Sequence, residues 1–136
     1  MTRAALLLVA LVAAACGGRA GAGTDSNRPG GEASGAPELA VLDHFKALDD
    51  SVERSRGRCP RLATSIDSWL DGNAETVRAL IEKSRAEPGL EGGHLSRVEQ
   101  HLERIFDRVL DAVTTCKGKG GVDQAYARLD AFLEAS

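Results

Sequence analysis

The stretch "LSRVEQHLERIFDRVLDAVTTC" (residues 95–116) decides the fold. Its apolar residues are Leu95, Val98, Leu102, Ile105, Val109, Ala112 and Cys116, and their spacings alternate between three and four throughout. A chain that turns once every ~3.6 residues brings all of them to one face, so the stretch reads as an amphipathic helix. Phe106 and Val113 widen the stripe on one side. Ser96 followed by Glu99 has the form of a capping box, which predicts a helix start a turn later than the stripe itself suggests. "KGKGG" (117–121) ends the segment.

The same period extends outward in both directions. Val41, Phe45, Leu48 and Val52, with Leu42 beside them, predict a helix over residues 38–56. Gly57 suits its C-terminal stop, and Pro60 the first turn of the next helix. Leu62, Ile66, Trp69, Leu70, Val77, Leu80 and Ile81 form the second segment, which runs to Ala86 before Pro88-Gly89. "DGN" (71–73) interrupts it. Gly72 costs about 1 kcal/mol inside a helix and Asn73 can cap a fresh start, so a kink or break is expected there. Val122, Tyr126, Leu129 and Leu133, with Ala125 and Phe132 adjoining, give a last helix. No run alternates as a strand does. The expected fold is all-α: an antiparallel up-down four-helix bundle over residues 38–136.

The cysteines fit this topology. Cys59 follows the first helix and Cys116 ends the third, and in an up-down-up arrangement those ends share a pole. A disulfide between them is expected, worth roughly 4 kcal/mol in the chain-entropy model.

Upstream of the bundle the chain changes character. Met1-Thr2-Arg3 is a short positive region, followed by an unbroken apolar run from Ala4 to Ala15. As a helix that run spans about 18 Å, too short for a hydrocarbon core that needs ~20 residues. The pattern is that of a secretory signal over residues 1–15. "AAAC" (13–16) resembles the lipobox of bacterial lipoproteins, in which the Cys becomes the new N-terminus and carries the acyl chains. Ala14, Ala15 and Cys16 match that pattern; Ala13 departs from it, since Leu or Val is usual there. Ordinary signal-peptidase cleavage after Ala15 is the rival. The resemblance implies lipidation at Cys16, and Gly17 in place of Asp favours the outer membrane. Acylation of Cys16 would also leave an even number of cysteines outside the cytoplasm, where they can pair. Residues 16–37 add a Gly-rich tether with no large apolar residue, spanning roughly 25 Å if flexible. The bundle itself is similar to small helical lipoproteins of Gram-negative bacteria, a likeness that brings no activity with it. It resembles periplasmic four-helix cytochromes in shape alone.

The residues that usually carry chemistry are sparse. His94 and His101 are a heptad apart, which places them about 10 Å from each other along a helix, too far for one metal ion. With His44 they read as solvated boundary residues. There is no C-x-x-C-H for haem, no H-E-x-x-H and no G-x-S-x-G. No catalytic activity, cofactor or metal is expected. With 17 basic against 20 acidic residues the chain has no basic bias that would suggest nucleic acid.

One charge feature stands out. Arg54, Arg56, Arg58 and Arg61 surround Cys59, and Lys117 and Lys119 follow Cys116, so the disulfide would gather six cations at one pole. Glu38, Glu87 and Glu91 gather at the other. Helix dipoles favour cations at the C-terminal ends of the first and third helices but oppose Arg61, in the first turn of the second. The expected function is therefore that of a lipid-anchored envelope protein facing the periplasm. It would act as an interaction or structural module whose basic pole meets an anionic envelope component or an acidic protein. A small-ligand or metal-binding bundle is the alternative.

Overall fold

The computed structural model describes residues 35–136. Cys16 and the expected leader and tether, up to residue 34, lie outside the described residues. Within them the chain forms α1 (Pro37–Arg54), α2 (Cys59–Ala86), α3 (Gly92–Thr115) and α4 (Val122–Ala135), with no strand. No helix among the described residues is long and apolar enough to cross a membrane.

The apolar stripes become a single core. Phe45, Leu48, Leu62, Ile66, Ile81, Leu102, Ile105 and Leu129 are almost wholly buried, and the remaining stripe residues pack around them. Leu80, Phe106 and Tyr126 pack on its rim. The core formed by the described residues and the disulfide both lie within residues 36–136.

The helices alternate in direction, as cross-contacts at the two poles show. Cys59 at the start of α2 is bonded to Cys116 at the end of α3, with Cα atoms 5.4 Å apart. At the opposite pole the Gly89 N–H, between α2 and α3, donates to Glu38 Oε1 in the first turn of α1 at 2.9 Å. Arg85, late in α2, reaches the carbonyl of Ser136 beyond α4. The expected bundle and its disulfide are thus present.

Lateral order is less simple than a ring of successive helices. α1 packs on α2 and on α3, α2 packs on α4, and α3 and α4 touch only lightly. One aromatic from each helix traces that order. Phe106 of α3 meets Phe45 of α1 edge-on at 5.1 Å, Phe45 meets Trp69 of α2 at 5.0 Å, and Trp69 meets Phe132 of α4 at 6.1 Å. Neighbours α1 and α3 therefore run parallel, as do α2 and α4. Ion pairs lie along both seams. Arg108 grips Asp49 through two bonds, at 2.9 and 2.7 Å, and Arg128 spans Asp67 and Asp71 at 2.6 and 3.0 Å.

Three local expectations are corrected. α2 is helical without a break through Asp71-Gly72-Asn73. Asn73 does not cap a new helix. Its amide donates to the Trp69 carbonyl one turn back at 2.9 Å, and its Oδ1 bonds His44 Nδ1 at 2.7 Å. The Trp69 indole N–H donates to the His44 carbonyl at 2.7 Å, pinning this turn of α2 to α1. These contacts, with Leu70 and Val77 buried on either side, outweigh the intrinsic cost of Gly72. Next, α3 begins at Gly92, and Ser96 and Glu99 lie inside it rather than forming a capping box. Finally, the fold begins before residue 38. Ala36 is buried and Pro37 opens α1, both packed so close to Gly89 that a Cβ there would sit 2.8 Å from each.

Candidate functional site

The pole that carries the disulfide is built from two tight turns. α1 stops at Arg54, and Ser55 caps it with its N–H on the Val52 carbonyl at 3.1 Å. Gly57 takes a positive φ of 79°, and the Arg58 N–H closes back on Ser55 O at 2.9 Å. Pro60 then stands in the first turn of α2, where its missing N–H costs nothing. On the facing side, the turn after α3 runs through Gly118, Gly120 and Gly121, all at positive φ. Gly120 presses against the start of α2 so closely that a Cβ would stand 2.6 Å from Pro60 N and 2.7 Å from the Cys59 carbonyl carbon. Lys117 and Lys119 are carried on this turn, and the Gly118 N–H donates to Asp123 Oδ2 at 3.0 Å.

The six cations of this pole are not equivalent. Arg56 turns toward α3. It donates to Asp111 at 2.7 Å, to Glu53 at 2.7 and 3.2 Å and to the Arg108 carbonyl at 3.3 Å. Hydrogen bonds to Glu53 and then to Asp111 hold its pKa well above the ordinary arginine value. Arg56 is thus a clamp between the end of α1 and α3. Arg54, Arg58, Arg61, Lys117 and Lys119 make no side-chain hydrogen bond or ion pair with any described residue, and all five are exposed.

Arg54, Arg58 and Arg61 line one open cleft of about 430 Å³ between the last turn of α1 and the first two turns of α2. Its other walls are Ser51, Ser55 and Ser65. Ser55 is buried, and its Oγ lies 2.7 Å from Ser65 Oγ. No carboxylate lines the cleft. Sequence reasoning singled out the arginines and missed the serines. Their signal was present, since Ser51 and Ser55 are one helical turn apart and flank Arg54 in the sequence, but hydroxyls carry no charge pattern.

The opposite pole differs from expectation in one residue. Glu38 is buried and tied to the Gly89 N–H, so it fastens the fold rather than contributing to an acidic surface; Glu87 and Glu91 are exposed there. Nearby, a smaller cleft of about 190 Å³ lies between Leu39 and Leu42 of α1 and His94, Val98 and His101 of α3. Burial, then Lys46, Arg104 and Arg108, lower the His101 pKa below the ordinary histidine value, with Asp49 opposing. His44 is half-buried at the core boundary, and its Nδ1 is held by Asn73. Among the described residues no three His, Cys, Asp or Glu side chains are grouped to hold a metal ion.

No protein-family model, curated protein or solved structure matches the chain.

Proposed function

We propose that the chain is a lipid-anchored protein of the bacterial cell envelope, a non-catalytic interaction module whose disulfide-closed pole holds an anionic partner. The observation that carries the reading is the set of three arginines on the cleft with no anion of their own. Arg61 is the decisive member. It stands in the first turn of α2, where the positive end of the helix dipole disfavours a cation, and no carboxylate compensates. Local stability does not account for a cation placed so. Anchoring at Cys16 is supported by the AAAC motif and by the Cys59–Cys116 bond, which belongs to an oxidising compartment. Gly17 in place of Asp favours outer-membrane attachment on the same resemblance.

Two measurements test the two halves. In cells fed a clickable fatty acid, wild type should label and Cys16→Ser should not; equal labelling removes the anchor. The folded part, residues 35–136, should bind vesicles rich in anionic lipid or an acidic envelope polysaccharide, more weakly as salt rises, because exposed charges are screened within about 8 Å at physiological ionic strength. No binding to either at low salt removes the interaction reading.

A further inference from the structure

The cleft between α1 and α2 differs in kind from a diffuse basic surface. Its rim bears three guanidinium groups and its walls three hydroxyls, and it contains no acceptor of full charge. The hydroxyls are organised. Ser55 and Ser65 share one proton between their oxygens at 2.7 Å, which leaves one hydroxyl proton of that pair free to donate elsewhere. Ser51 makes no side-chain bond to any described residue, so its proton is free as well. Helix dipoles do not by themselves make the cleft an anion site: each acts within its own terminal turn, and the C-terminal end of α1 disfavours an anion while the N-terminal end of α2 favours one. The arginines therefore set the charge preference and the serines add donors beneath them.

A carboxylate offers one charge and two oxygens, which a single guanidinium satisfies. A phosphate monoester carries about −1.5 to −2 at pH 7 and presents three terminal oxygens. Several guanidiniums with adjacent hydroxyl donors match that count and that charge. At about 430 Å³ the cleft also has room for part of the group to which the phosphate is esterified.

We propose that this cleft is a binding site for the phosphate group of a phosphomonoester, with Arg54, Arg58 and Arg61 pairing its charge and Ser51 and the Ser55–Ser65 pair donating from the walls. The proposal rests on the reading of the basic pole as a binding surface and narrows it to one chemistry. Arg58 and Arg61 are exposed and without partners among the described residues, so their replacement leaves the core intact.

The test is a titration of residues 35–136 with inorganic phosphate at constant ionic strength, followed by NMR of backbone amides and arginine Nε–H groups. Saturable shifts should be confined to residues 51–65. Arg58→Gln with Arg61→Gln should weaken binding at least tenfold, Ser51→Ala two- to fivefold, and Lys117→Gln with Lys119→Gln by less than twofold. Vesicles with phosphomonoester headgroups, set against vesicles of equal charge with carboxylate headgroups, identify the source. Preference for the former, with competition by free phosphate, assigns a lipid headgroup. Binding of free phosphate without vesicle preference assigns a soluble ester, and either supports the site. Absence of saturable phosphate binding, or binding unchanged by the arginine pair, overturns it. If both vesicle types then bind equally and the lysine and arginine pairs weaken them alike, the general anionic reading of the pole survives alone. If nothing anionic binds, both fall.

Discussion

Gly120 shows how one residue sets the geometry of the disulfide pole. Its φ of +61° lies in the left-handed region, and a Cβ would meet the backbone of Cys59 and Pro60. Gly118, two residues earlier, has a φ of +75° but faces open space. The pair separates two costs of an alanine. At Gly118 only the conformational penalty applies, about 1–2 kcal/mol. At Gly120 the same penalty adds to a collision with backbone atoms that cannot rotate away. Gly120→Ala should lower the unfolding free energy by about 3 kcal/mol and Gly118→Ala by about 1 kcal/mol, read from denaturant midpoints at unchanged m. Equal losses at the two positions would show that the turn after α3 is not seated on α2. Glu38 makes the matching point at the other end: a buried carboxylate is tolerable because a backbone N–H meets it and it occupies the first turn of α1, where the helix dipole favours an anion.

Among the elements, the α1–α3 seam has the best-placed ion pair. Asp49 is nearly covered, with a side chain 14% exposed, and both its oxygens accept from Arg108. Bidentate geometry and partial burial raise such a pair above an ordinary surface bridge. A double-mutant cycle with Asp49→Asn and Arg108→Gln should give a coupling of about 1 kcal/mol. Arg128, which reaches Asp67 and Asp71 with half its side chain exposed, should show a much smaller dependence in the same assay. A coupling at Asp49 no larger than at Arg128 would place the cohesion of the seam in its apolar contacts, Phe45 against Phe106 among them, and in the Arg56 clamp. The elements themselves were legible because apolar spacing reports helical period directly, and each stripe in residues 95–116 and its neighbours is the face now buried. Continuity through Gly72 was not legible. It depends on His44, 29 positions from Asn73, and chain-local propensity contains no trace of that bond. The side-by-side packing of α1 with α3 was hidden for a related reason: a stripe shows which face is buried but not which helix covers it. The same limit split the candidate site. Its charges were visible in "RSRGRCPR" (54–61), whereas of the two carboxylates that withdraw Arg56 only Glu53 is local and Asp111 lies 55 positions away.

For the whole molecule, the disulfide joins the two turns at the pole that carries the basic cluster. It links positions separated by 57 residues, a span for which the chain-entropy model gives roughly 4 kcal/mol, less any strain. Cys59→Ala with Cys116→Ala should therefore lower the unfolding free energy by about 2–4 kcal/mol, a large part of what a domain of this size has. Its effect on binding should be uneven. The cleft is made by α1 and α2 alone, joined through the short turn at residues 55–58 and held by Ser55, Ser65 and the buried Val52 and Leu62. Lys117 and Lys119 have no such local tie to α2; Cys116 and the seating of Gly120 hold their turn against it. Under native conditions the double alanine variant should thus keep its affinity for phosphate within about twofold while losing the lysine contribution to anionic vesicles. Hydrogen exchange should show the turn at residues 117–121 opening faster, with the turn at 55–58 unchanged. A parallel collapse of both affinities would mean that the bond shapes the cleft itself. The proposal that the cleft alone holds the phosphate, with Lys117 and Lys119 adding only charge beside it, would then fail.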